Sequence, residues 1–208
     1  MESRVPQPDA RELLEVLDAE GRATGQRKAR AEVHRDGDWH RSVHLWIVKD
    51  GRYALLQRRS RFKDLEPGRV DVSVGGHLRS GDPVAEVLRE TEEELGLELS
   101  PGALHPLGTR RAERVYPGMT DRELQAVFVA RCDRPLEHYY PDCREVSVLY
   151  EAPLEPLIAL YRAGGHLAVA GWDCQGRSSS ALLIPDDLIA QARQDTAQTL
   201  TDILAWLG

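Results

Sequence analysis

Apolar positions along this chain recur with two different periods, and the switch between them separates expected strands from expected helices. Runs rich in Leu, Val, Ile and aromatic residues fall at 12–17, 44–48 and 53–57. The first runs into Asp18-Ala-Glu-Gly21, a turn signal, so 26–33 is expected to pair back on it as a hairpin. Asp50-Gly51, set between two apolar runs, is a strong short-range hairpin signal joining 44–48 to 53–57. A short strand is expected at 71–74, ending on Gly75-Gly76, with further strands at 104–109, 123–132 and 146–150.

The period then changes. Val84, Val87, Leu88, Thr91 and Leu95 keep a three-and-four spacing that predicts an amphipathic helix with those residues on its buried stripe. Its ends are marked as well. Asp82 is a good N-cap, Pro83 occupies the first helical position where a missing N–H costs nothing, and Gly96 is a natural stop. Two more helical patterns lie at 154–163 and 185–206. Strands followed by helices in mixed order predict an α+β fold rather than repeated βαβ units. The expected organisation is a flexible terminus at 1–11, a domain at 12–150, and a helical extension at 151–208 packed on that domain.

Composition narrows the function classes. The chain has 208 residues, 41% hydrophobic, with a net charge of -7. That is enough apolar material for a core, and the acidic balance argues against general nucleic-acid binding, which needs a basic field. No run of about 18 uninterrupted apolar residues suggests a membrane helix, and the N-terminus has no apolar signal-like stretch, so a cytoplasmic protein is expected. Cys132, Cys143 and Cys174 are too few and too scattered for a disulfide framework or a zinc ribbon and are read as free thiols. A homodimer is left open.

The capped helix carries Glu86, Glu90, Glu92, Glu93 and Glu94. Residues three and four apart share a face, so Glu90, Glu93 and Glu94 should converge. Like charges at that spacing destabilise a helix, unless a hard divalent cation such as Mg²⁺ or Mn²⁺ sits among them. The plain alternative is a solvated acidic face. Context favours the ion, because a glycine segment, Gly75-Gly76-His77, delivers the chain to the helix start.

From Gly75 to Leu97 the sequence resembles the Nudix box, whose pattern is a glycine, five residues, a glutamate, seven residues, then Arg-Glu-apolar-x-Glu-Glu-x-Gly-apolar. Arg89-Glu90-Thr91-Glu92-Glu93-Glu94-Leu95-Gly96-Leu97 matches the second half, with Thr91 in place of the apolar residue. The first half departs from it. Taking Gly76 as the leading glycine puts Asp82 on the first glutamate, with six rather than seven residues before Arg89. The segments 39–46, 55–60 and 63–77 extend the likeness to a branch that includes isopentenyl-diphosphate isomerase.

The resemblance implies an α/β/α sandwich around a mixed sheet, and an enzyme that hydrolyses a nucleoside di- or triphosphate or another small organic diphosphate with Mg²⁺ or Mn²⁺. Glu93 and Glu94 would be the main metal ligands, with Glu90 ligating or orienting, and Arg89 would pair with a helix carboxylate. Glu93 is the first choice of base and Glu145 the second. Arg58, Arg59, Arg61 and Lys63 would face substrate phosphates, and Gly76 and His77 would line the site. His34, His40 and His77 are placed like isomerase metal ligands, but His34 and His40 are equally read as polar loop residues. Trp39, Trp46 and Tyr116 are read as packing aromatics rather than base-stacking ones. The isomerase keeps a cysteine where this chain has Gly75, so hydrolysis is favoured over isomerisation; a Nudix-fold binding module without chemistry is a third reading.

Overall fold

The computed structural model describes residues 12–79, 81–189 and 193–208; the terminus expected to be flexible at 1–11 lies outside them. At the centre is β3 (Trp39–Lys49), whose alternating residues feed two cores. Val43, Leu45 and Ile47 point to one face, where they pack with Val87 and Leu95; Trp46 and Val48 point to the other, among Leu157, Leu200 and Ile203. Helices therefore cover both faces of one sheet, and the expected sandwich is found.

The hairpin at Asp50-Gly51 forms as expected. Both residues have positive φ, 52° and 61°, and they join β3 to β4 (Tyr53–Arg59). On its other side β3 runs parallel to β8 (Met119–Arg131), which makes the sheet mixed. The strand β8 is itself the return arm of a long hairpin with β7 (His105–Tyr116), closed by Pro117-Gly118. Both strands extend well beyond the expected 104–109 and 123–132.

Five other expectations are corrected. The first is the hairpin at 26–33. β1 (Leu13–Leu17) does pair with β2 (Ala23–Ala29), but at Arg30 the chain turns into a helix, α1 (Arg30–Asp36), because Val33 buries against Leu14 and Val16. The strand at 71–74 is in fact two. β5 (Val70–Asp71) pairs with β4, and β6 (Val74–His77) crosses to β3, with the Ser73 hydroxyl donating to Leu55 O at 2.5 Å and accepting from Ile47 N at 2.8 Å.

The C-terminal stretch is not wholly helical. After β9 (Val146–Pro153), which runs through the expected boundary at 150, and α3 (Leu154–Ala163), the chain adds β10 (Leu167–Asp173) and β11 (Ser178–Leu183) to the sheet. Leu167, Val169 and Gly171 alternate inward, a period-2 pattern that small Ala and Ser residues disguise in the sequence. Of the long helix expected at 185–206, α4 (Arg193–Leu207) forms, while 185–187 is a single 3₁₀ turn. Finally, two of the three cysteines are not free thiols: Cys143 and Cys174 form a disulfide, and Cys132 remains free.

The box helix, α2 (Pro83–Leu95), forms with the expected ends. The Asp82 carboxylate accepts from Val84 N at 2.9 Å, and Gly96 takes φ 61°. Thr91 fits a buried apolar position because its hydroxyl donates back to Val87 O at 2.6 Å.

Candidate active site

The ends of β4 and β6, the start of α1, one face of α2, the tip of the β7–β8 hairpin and the segment 142–145 enclose a cavity of about 580 Å³. Two groups of chemically active side chains share it. One is the acidic face of α2; the other is a cluster of histidines and carboxylates between α1, β3, β6 and β8 that reaches the cavity through His77, Asp121 and Glu123.

On α2 the face is divided. Glu86, Glu90 and Glu94 are buried, whereas the Glu93 side chain is 53% exposed, yet Glu90, Glu93 and Glu94 all line the cavity. Arg89 pairs with Glu86, Glu90 and Glu93, the role expected of it. Glu86 also accepts from Arg79 N at 2.9 Å, so this interior acid is tied into the box while Asp82 serves only as an exposed cap. Glu94, held by Gln57 Nε2 at 3.1 Å, is pushed up to about 8 by burial, against the pull of Lys63. Burial also raises Glu90, against Arg89 and Arg79. The close approach of the glycine segment matters here: a Cβ on Gly76 would fall 2.4 Å from Glu90 Cδ.

On the other side the three rings of His34, His40 and His77 lie with centroids 5.2–5.4 Å apart. Asp121 Oδ1 lies 3.8 Å from His34 Nε2 and 3.6 Å from His40 Nε2. All three of those atoms are buried and have no hydrogen-bond partner among the described residues. Burial, with His77 adding, lowers His34 to about 3 and His40 to about 4, so both are neutral near pH 7 and have a lone pair to offer. Arg114 Nη1 donates to Asp121 at 3.0 Å and to Glu123 at 2.9 Å. Burial and Glu123 raise Asp121 to about 6; Glu123 is held well below the usual range by Arg114 and the histidines, in spite of its burial. Among the described residues, potential ligand atoms fall within 4.8 Å of one another in His34–His40–His77 and in His40–Asp121–Glu123; the α2 glutamates form no such group. A borderline divalent metal suits imidazole and carboxylate together. The reading of His34 and His40 as loop polars is corrected: one is on a helix, the other on a strand, and both are buried.

The basic run splits by strand alternation. Arg59 reaches the cavity, bonding Leu65 O at 3.1 Å and Asp71 at 3.2 Å, and Lys63 pairs with Glu145 there. Arg58 points to the opposite face, donating to Tyr150 Oη at 3.1 Å, Gly68 O at 2.8 Å and Asp187 at 3.1 Å, so it does not face the cavity. Arg61 lies over the Phe62 ring and is also outside it. Gly76, His77 and Glu145 line it. Trp46 is a core residue, and Trp39 is buried beneath the Arg111 guanidinium. Tyr116, read as packing, instead lines the cavity, with its hydroxyl donating to Glu66 at 3.2 Å. Sequence reasoning missed Glu12, Arg114, Asp121 and Glu123. The Asp-x-Glu spacing of the last two, which puts both on one face of a strand, was the available signal.

The NUDIX domain family model matches residues 38–172. An uncharacterized Nudix hydrolase of Clostridium acetobutylicum is 34% identical over 149 residues, which cover 70% of this chain and 72% of that protein. Nudix hydrolase 3 of Arabidopsis thaliana is 38% identical over 152 residues, 70% of this chain but 17% of that protein. An isopentenyl-diphosphate Delta-isomerase of Mycolicibacterium vanbaalenii is 27% identical over 169 residues, 81% of this chain and 91% of its own. The fold is shared with the crystal structure of DR0079 from Deinococcus radiodurans, with a TM-score of 0.59 at 21% identity over 92% of this chain and 99% of that one.

Proposed function

Because this chain belongs to the Nudix family, we propose that it hydrolyses the diphosphate linkage of a small metabolite, a nucleoside di- or triphosphate or a similar organic diphosphate, with Mg²⁺ or Mn²⁺. The observation that carries the reading is the cavity in which Glu90, Glu93 and Glu94 of α2 stand with Arg59, Lys63 and Glu145. All-oxygen donors suit a hard cation, and Gly76 leaves Glu90 the room a Cβ would fill. Glu90, Glu93 and Glu94 would hold the ion, which supplies charge neutralisation at the diphosphate and a more acidic water.

The chain's own residues do the rest. Arg89 fixes the rotamers of Glu86, Glu90 and Glu93 and so positions the carboxylates. Arg59 and Lys63 receive phosphate oxygens, Lys63 leaving Glu145 to do so. Glu93, the exposed glutamate of the three, would take a proton from water, and Glu145 becomes a second candidate once Lys63 has moved to substrate. The histidine cluster would hold a second ion of borderline type, a role supported by its three buried atoms that find no hydrogen-bond partner among the described residues.

The test is release of phosphate or nucleoside monophosphate from a panel of organic diphosphates with Mg²⁺ or Mn²⁺. Activity on at least one member that is abolished by chelation is expected; none with either metal would overturn the reading. Isomerisation of an isoprenoid diphosphate is the second reading. The histidine cluster favours it, since the isomerase branch places metal-binding histidines at these positions, and Gly75 opposes it.

A further inference from the structure

Glu12 has no place in the box, yet its side chain is 13% exposed and lines the same cavity as His77, Asp121 and Glu123. Its Oε1 lies 3.3 Å from His77 Nδ1 and 3.6 Å from Arg79 Nε, and its Oε2 lies 3.7 Å from Arg30 Nε. The backbone is fixed too, because Arg30 N donates to Glu12 O at 2.9 Å. Arg30 and His34 are one helical turn apart on α1, so one helix holds Glu12 at its first turn and presents a cluster imidazole at its second. Arg30 in turn is anchored by Asp64 at 2.7 Å.

A carboxylate on one ring nitrogen settles which nitrogen of a histidine carries the proton and leaves the other as a lone-pair donor. We propose that Glu12 is the positioning residue of the histidine centre: it takes the Nδ1–H of His77, fixes the ring, and leaves Nε2 as the nitrogen that serves a divalent metal with His34, His40 and Asp121. The inference rests on the second metal centre put forward above and goes beyond it. Residue 12 lies far from every ligand in sequence and outside the matched 38–172, so the first strand region becomes part of the site rather than an appendage to the fold.

Co²⁺ is the probe, titrated into metal-free protein and followed by its visible absorption and by calorimetry. The relevant band in wild type is the one lost in His40→Ala and kept in Glu93→Gln. Glu12→Ala is expected to weaken binding at that band by about 10- to 100-fold. Glu12→Gln, whose amide oxygen still accepts from Nδ1–H, should recover most of the loss and restore the band shape. Arg79→Ala should stay within about twofold of wild type. If Glu12→Ala does not fold, the comparison of Glu12→Gln with wild type carries the test, because only the charge differs; a small loss with the band unchanged is then expected. Wild-type affinity and spectrum in Glu12→Ala would overturn the proposal, as would an equal loss in Arg79→Ala, which would make Glu12 a strut for the glycine segment. A wild-type protein with no His40-dependent band would remove the histidine centre itself, while phosphate release from the diphosphate panel would leave the hydrolase reading standing.

Discussion

Gln57 Nε2 on β4 donates to Glu94 Oε2 on α2 at 3.1 Å, inside a wall where the Glu94 carboxyl titrates only near 8. In the unfolded chain a glutamate titrates near about 4.3. Between those values the folded state keeps a proton that the unfolded state has released, so raising the pH destabilises the fold. The midpoint of metal-free wild type should therefore fall relative to Glu94→Gln as pH rises from about 5 to 8, and the two should run parallel below about pH 4. Saturating Mg²⁺ at pH 8 should raise the wild-type midpoint more than the variant's. Thermal melts across that range check both; parallel curves throughout would mean that Glu94 ionises freely.

Glu93→Gln and Glu94→Gln keep size and helix propensity while removing a charged oxygen. Turnover should drop by at least about 10²-fold in each, the scale of losing a charge-stabilising group, with folding retained. Glu92 points outward on the same helix, and Glu92→Gln should cost little. Steady-state kinetics on any substrate found in the panel decide it, and wild-type turnover in both variants would place the metal elsewhere.

Gly76→Ala tests the close approach of loop and helix. The new Cβ would lie 2.5 Å from Glu90 Oε1, and Glu90 is buried and clasped by Arg89, so it cannot swing away freely. A stability loss of about 1–3 kcal/mol is expected from the overpacking, together with weaker Mg²⁺ binding by calorimetry. Unchanged values for both would show that the contact yields without consequence.

Gly75 stands where the isomerase branch carries its cysteine, and a glycine cannot trade a proton with carbon. The site is not closed to a side chain: a Cβ there would find His44 Cδ2 at 3.6 Å, an ordinary contact. Wild type should give no deuterium uptake from heavy water into isopentenyl or dimethylallyl diphosphate above a no-enzyme control, and Gly75→Cys should fold normally. Uptake by wild type would overturn the assignment to hydrolysis.

The Cys143–Cys174 disulfide closes a loop of 31 residues and ties the cavity segment 142–145 to the end of β10. Reduction should cost about 2–4 kcal/mol. Denaturant midpoints with and without dithiothreitol measure it. The double variant Cys143→Ser/Cys174→Ser should match reduced wild type and ignore the reductant.

Much of this was legible in the chain because it is local. The α2 helix declares itself through Asp82, Pro83 and Gly96, and the β3–β4 turn through Asp50-Gly51, since caps and turns are set by a few consecutive residues. The facing of Glu90 and Glu94 follows from helical spacing alone. Where two elements compete for the same residues, local signals fall short: the apparent hairpin arm at 26–33 ends in α1, and Ala-rich β10 hides its period behind small side chains.

The sequence by itself determined the box helix, its carboxylates and the glycine segment that meets it. Tertiary structure decided which of the basic residues reach the cavity, because one step along β4 turns Arg58 away and Arg59 inward. It also decided the cluster of histidines and carboxylates. His34 comes from α1, His40 from β3, His77 from β6, and Asp121 and Glu123 from β8; the parallel register that sets His40 beside Glu123 joins positions 83 residues apart. Such a pairing is fixed by which strands share a sheet and in what register. That is a property of the whole buried core, and no window of neighbouring residues contains it.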